Sequence, residues 1–435
     1  MVEYQARFLF WCGLLLFSFK LGSRRQLDFE LRDLDLAVLA NLNRLAQTQQ
    51  TSLPVNQTVS HYLGHVGSAA VSRLRTDCVR HLIRQKVLDG MRLQGAFPVA
   101  VDGTGFLSFH QQHCRHCLVH RHETHTVYLH PVLEAKLVEP RGLALSIATE
   151  FIENPTPAAS ATPSPTPEKA TGESTPTLTT YETVKQDCEL KAFARLAEQL
   201  KAQFPQTPFC LGGDSLLACG PVFAICTRHQ WSFVLTFKEG RTPALWREFQ
   251  NLLKISTENQ LVVHLPDQTR QEYRWVNDLD YVDDEGRRHL LHALTCEETN
   301  PNGTQFFAWV TNLRLDAKNV CAVANQGGRV RWKIENQGFN LQKNSGLNLE
   351  HAYSTHPDVM KSFYYLMQIA HLFSQMFEMG SLLRRLAQDY ATTPVGLFGS
   401  LKNIAKRLLE CFRYFALTDQ DFEAYPGQIR LCDPG

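Results

Sequence analysis

Between residues 96 and 238 the 435-residue chain runs strand, strand, strand, helix, strand, helix, strand, and this order limits its fold more than any other feature. The first strand-like run, "FPVAVDGTG", ends in Asp102 and a glycine-rich turn. "HTVYLHPVLEAKLVEPRGLALSIATEFI" reads as two further strands joined at "EPRG". In "DCELKAFARLAEQLKAQF", residues Leu190, Phe193, Ala194, Ala197, Leu200 and Phe204 share one face at helical spacing, which predicts an amphipathic helix. "PFCLGGDSLLA" is then a strand ending at Asp214, "GPVFAICTRHQ" a short helix with Pro221 in its first turn, and "WSFVLTFK" a buried strand. In a mixed α/β sheet the strands that end at Asp102 and Asp214 can be neighbours, and ligands collect beyond strand ends.

The flanks are of a different kind. Residues 1–95 read as a helical region, and one of its helices, "SAAVSRLRTDCVRHLIRQKVLDG", carries Arg73, Arg75, Arg80, Arg84 and Lys86 against only Asp77 and Asp89. Such a basic face can lie on DNA phosphates or simply be solvated. The apolar run "FLFWCGLLLFSF", residues 8–19, is far shorter than the roughly 20 residues of a membrane span. It also lacks a positive leading flank, so a buried or docking helix is expected and a membrane anchor is the alternative. Residues 154–183 are rich in Pro, Thr, Ser and Ala with almost nothing to bury, and they read as a flexible or disordered linker interrupting the 96–238 core. Residues 239–315 form a β-rich insertion, 316–355 the end of the core, and 356–435 a C-terminal helical region. The formal net charge of +1 means that any basic surface must be local. Twelve scattered cysteines fit reduced thiols in the cytoplasm rather than a disulfide framework.

The stretch "RVRWKIENQGFNLQK", Arg329 to Lys343, predicts a helix crowded with residues that grip phosphate and metal. If Glu335 crosses the sheet edge near Asp102 and Asp214, three carboxylates meet. They would repel one another unless metal ions held them ionised. Hard oxygen ligands select Mg²⁺ or Mn²⁺, and two such ions roughly 3.5–4 Å apart suit phosphoryl transfer. Arg331 and Asn336 would then hold DNA. Trp332 has two readings, core packing and base stacking. The acidic run Asp278, Asp280, Asp283 and Asp284 reads as a solvated loop.

The stretches "VDGTG", "KQDCE", "LGGDSLLA" and "RVRWKIENQGFN" together resemble the DDE-class insertion-sequence transposases, which have a ribonuclease-H-like core and a β-strand insertion before the final Glu. "FSFKLGSRRQL" is similar to the N-terminal helix of such proteins, so the likeness spans nearly the whole chain outside the linker. The resemblance implies an α/β fold of that type, with Asp102, Asp214 and Glu335 as catalytic and metal-binding triad and Arg331 as a phosphate contact. It also implies two Mg²⁺ or Mn²⁺ ions, DNA element ends and target DNA as partners, a homodimer on DNA and a cytoplasmic, DNA-associated enzyme. Two positions depart from the pattern. The tyrosine three residues before the arginine is Gly328, and the lysine seven residues after the Glu falls on Gln342, with Lys343 one step further.

"HQQHCRHCLVHRHETHTVYLH" adds a second candidate metal site. Cys114 and Cys117 have the spacing of a structural zinc pair, with His122 and His125 as candidate partners, and a plain His-rich loop is the alternative. For the whole chain the expected activity is metal-dependent cleavage and strand transfer at the ends of its own element. The rivals are a catalytically inactive, transposase-derived DNA-binding protein and a membrane-associated protein anchored by residues 8–19.

Overall fold

Strands with near-continuous apolar runs must be covered on both faces, and here "FCLGG" and "FVL" lie at the centre of the sheet. The computed structural model describes residues 3–32, 37–154, 187–390, 392–423 and 431. The stretch expected to be a linker lies almost entirely outside these residues. Ten strands form one mixed sheet. In chain order they are β1 (Phe97–Phe109), β2 (Leu118–Arg121), β3 (Thr126–Val138), β4 (Ala144–Phe151), β5 (Phe209–Gly213), β6 (Ser232–Thr236), β7 (Gln260–His264), β8 (Arg270–Val282), β9 (Arg288–Asn300) and β10 (Gly303–Thr311). Their spatial order is β2-β3-β1-β5-β6-β10-β9-β8-β7, with β4 beside β3. β1, β5 and β6 pair in parallel. β10 runs antiparallel to β6 from Trp309↔Thr236 to Thr311↔Val234, so the strands of 239–315 continue this sheet.

Five helices precede the sheet: α1 (Ala6–Ser18), α2 (Arg24–Leu31), α3 (Val38–Ala46), α4 (Asn56–Val66) and α5 (Ser68–Arg84). α6 (Glu189–Gln203) and α7 (Gly220–His229) connect β4, β5 and β6, and α8 (Pro243–Ile255) follows β6. Strand signals in 239–315 hid α8, whose Leu245, Phe249 and Leu253 are buried at four-residue spacing. On α6 the inward face is Ala192, Phe193, Leu196, Ala197 and Leu200, whereas Ala194 is exposed.

The run at 8–19 is a buried helix. Phe8, Leu14, Leu16 and Phe17 of α1 are at most 1% exposed. At 13 residues α1 is about 20 Å long, short of the ~30 Å hydrocarbon core of a bilayer. No helix among the described residues is long and apolar enough to cross a membrane. Its partner is α9 (Pro357–Met379). The two come so close at Gly13 that a Cβ there would lie 3.0 Å from Leu366 Cδ1.

The expected basic face on α5 is interrupted. Arg75 is fully buried and donates to Ser146 Oγ at 3.1 Å and Thr149 Oγ1 at 2.6 Å, both on β4. Only Arg73, Arg84 and Lys86 of the five cations are exposed, and Arg80 is half-buried.

Candidate active site

β1 and β5 pair in parallel from Phe97↔Phe209 to Ala100↔Gly212 and then part. β5 stops at Gly213, while β1 continues along β3 to Phe109. Asp102 therefore lies within a strand, just past the fork, rather than at a strand terminus. Asp214 follows β5 directly, and its Oδ1 accepts from Leu216 N at 2.9 Å, shaping the turn. Side chains alternate along a strand. Val99 and Val101 enter the core beneath α6, so Ala100 and Asp102 face the other side, where Val330, Ile334 and Phe339 pack.

Those three residues belong to a helical segment, 320–344, that is not one regular α-helix. It passes through π turns at Val323–Gly328, a 3₁₀ turn at Arg329–Arg331, a second π stretch at Ile334–Asn340 and an α turn at Leu341–Asn344. In π turns the hydrogen bonds run i→i+5, so residues four apart no longer stack as they do in an α-helix. Arg331 and Glu335 are accordingly not a turn-on-turn pair. Instead Arg331 Nη1 donates to Asp102 Oδ2 at 3.0 Å. Gly328 sits against the buried Trp309 indole, where a Cβ would be 2.4 Å from Cε2. A tyrosine at this position would collide with that indole.

Asp102, Asp214 and Glu335 line one open groove of about 570 Å³. Arg331, Lys238 and Lys343 supply its cations, and Thr104, Ser215, Thr236, Asn336 and Asn340 its neutral polar groups. Lys238, just beyond β6, carries no motif, but its position after the end of a parallel strand was the available signal. Gln342 and Lys343 take opposite directions: Gln342 is fully buried, while Lys343 reaches the groove and pairs with Glu350 at 2.7 Å. Trp332 is 54% exposed, which removes the core-packing reading.

A fourth acid comes from the far side of the sheet. Glu189, in the first turn of α6, lays its carboxylate directly against Gly103, so that a side chain there would have to push the carboxylate aside. It is the final residue of "KQDCE". Burial raises the Glu189 carboxyl above its ordinary value, and the charges of Asp214 and Asp102 raise it further. Asp102 is raised too: burial dominates and Asp214 and Glu335 add to it, against the pull of Arg331 and the Gly103 N–H. Hence the folded chain binds these protons more tightly than the unfolded one, and stability must fall as pH rises. The contribution is complete below about pH 4 and is lost as pH climbs through the raised values. In chelator, Glu189→Gln should raise the melting temperature near neutral pH and flatten this slope. An unchanged slope would show that Glu189 does not feel its neighbours.

The expected zinc ligands are only half gathered. Cys114 and Cys117 lie together, but their histidine companions are His113 and His130, with candidate ligand atoms all within 4.8 Å of one another. His122 and His125 sit in the β2–β3 turn, stacked on each other with ring centroids 4.7 Å apart and joined by a His122 N–H···O=C His125 bond. The hairpin turn holds both of them outside the cysteine cluster.

No protein-family model matches the chain, and no curated protein does. Among solved structures it is similar to a piggyBac transposase, in a synaptic complex with hairpin DNA, at 8% identity over 94% of this chain and 71% of that one. The TM-score is 0.36, too low for that likeness to carry an argument.

Proposed function

We propose that the groove is the active centre of a DDE-type transposase on a ribonuclease-H-like sheet, cutting DNA at element ends and joining the 3′-hydroxyls to a target. One observation carries this reading. Three carboxylates from distant parts of the sequence converge on one open groove, and three cations line the same walls. The donor set fits hard divalent cations, because it is all oxygen and because the crowding of acids helps to raise the proton affinity of Asp102 and Glu189. Asp102, Asp214 and Glu335 would hold Mg²⁺ or Mn²⁺, with Glu189 as a further acid behind them. When bound, such ions activate a water or 3′-hydroxyl and neutralise charge on the leaving oxygen.

The chain's own groups do the rest. Lys238 and Lys343 attract the phosphate backbone as point charges, and Arg331 offers a planar fork beside Asp102. Asn336 adds an amide along the same wall, and the exposed Trp332 indole offers a stacking face for an unpaired base. Joining two element ends calls for two copies of the chain on DNA.

Incubating the full chain with duplex carrying its flanking terminal repeats tests the proposal. Strand breaks with 3′-hydroxyl ends are expected in Mg²⁺ or Mn²⁺ and none in chelator. Tight binding of those ends with no cutting in either metal would leave only the DNA-binding relic.

A further inference from the structure

We propose that His113, Cys114, Cys117 and His130 form a structural zinc site, separate from the acidic groove. The distances suit it. Cys114 Sγ is 3.6 Å from Cys117 Sγ, and His130 Nε2 is 3.4 Å from the first sulfur and 3.2 Å from the second. Ligands on a tetrahedron with the usual Zn–S and Zn–N lengths stand about 3.4–3.8 Å apart, so three edges are close to preformed. Thiol–imidazole hydrogen bonds alone would explain those three contacts but not the fourth group. Both ring nitrogens of His113 are buried with no hydrogen-bond partner, and the ring stacks on His130 at 5.0 Å. A fourth bond to zinc would give one of these two orphaned nitrogens its partner. Both cysteines are free thiols.

The surroundings are those of a closed site. Cys117 is 1% and His130 0% exposed. With four protein ligands no position remains for a substrate, so the role is structural. His130 Nδ1, on the side away from the sulfurs, faces Glu153 Oε1 at 3.9 Å, and neither atom has a hydrogen-bond partner. Metal-bound histidines commonly turn their second nitrogen toward a carboxylate. The other Glu153 oxygen accepts from Lys361 Nζ on α9 at 2.7 Å. Asn154 Nδ2 donates to the Cys117 carbonyl at 2.8 Å. The site would therefore tie the loop after β1, the strand that carries Asp102, to β3 and through Glu153 to α9.

Metal content of the full chain, purified reduced and without chelator, tests this. About one zinc per chain is expected, and exchange with Co²⁺ should give the absorption of tetrahedral cobalt with thiolate charge-transfer bands. Zinc should stay in His122→Ala/His125→Ala and in Asp102→Asn/Asp214→Asn, and be lost in Cys114→Ser/Cys117→Ser. Failure of the wild-type chain to take up zinc, an octahedral cobalt spectrum, or zinc retained by the cysteine variant would overturn the site. Should the cysteine variant fail to fold, the wild-type cobalt spectrum decides alone.

Discussion

Asp214→Ala and Glu335→Ala should each lose at least about 10³-fold in metal-dependent strand cleavage while keeping most of their DNA affinity. Ligation of the reacting groups contributes several kcal/mol to a phosphoryl-transfer transition state, and each ~1.4 kcal/mol is tenfold in rate. Affinity depends instead on phosphate contacts spread over the surface, and Lys238, Arg331 and Lys343 remain in these variants. Asp102→Ala should behave the same in cleavage. It differs in a second way, because Arg331 loses the carboxylate it bonds at 3.0 Å, so this variant alone frees a guanidinium for DNA and should bind slightly tighter. Single-turnover cleavage with paired binding curves measures both. Cleavage within tenfold of wild type in a folded variant would remove that residue from the triad.

Glu134→Gln should destabilise the chain by about 3–5 kcal/mol, the usual cost of breaking a buried ion pair on one side. Arg75, Glu134 and Lys136 are all 0% exposed. Glu134 Oε2 lies 3.6 Å from Lys136 Nζ, and its Oε1 accepts from Tyr364 OH at 2.9 Å and from Thr149, which in turn accepts from Arg75. Removing the carboxylate leaves two buried cations without their counter-charge. The consequence reaches the groove. Lys136 Nζ donates to Gln368 Oε1 at 3.1 Å and, more weakly, to Gln342 Oε1 at 3.4 Å. The same lysine lies so close under Gly338 that a Cβ there would be 3.2 Å from its Cδ. The segment that presents Glu335 thus rests on this lysine. Denaturant unfolding should show the loss, and Glu134→Gln/Lys136→Met should recover much of it, since an apolar replacement of a buried pair is often tolerated. A loss below about 1 kcal/mol would mean that water already screens the cluster.

What the sequence disclosed depended on the kind of signal. Asp102, Asp214 and Glu335 could be brought to one place because strand-like runs end near the first two, and the third lies in a segment dense with phosphate-binding types. Local period carries that information. It carries nothing about Arg75, whose burial is decided by Ser146 and Thr149 some seventy residues on. Trp332 allowed two readings, and only the packed structure, which leaves it exposed after the 3₁₀ turn, decides between them. Gln342 and Lys343 differ by one position, and only the packed structure decides which faces Lys136 and which faces the groove. His122 and His125 were nearer in spacing to the usual zinc patterns, whereas the actual neighbours are His113, before the cysteines, and His130, brought back by the β2–β3 hairpin. Glu189 stood in plain view within "KQDCE", but its place behind Gly103 requires knowing that α6 begins over the β1–β5 fork.

Mn²⁺ binding to the full chain, followed by electron paramagnetic resonance without DNA, asks most directly whether the acidic groove is a divalent-metal centre. Wild-type protein should bind Mn²⁺, Mg²⁺ should compete, and Asp214→Asn and Glu335→Gln should each weaken binding at least about tenfold, roughly 1.4 kcal/mol or more. Binding that is absent from the wild type, or that survives unchanged in both groove variants, would contradict the account.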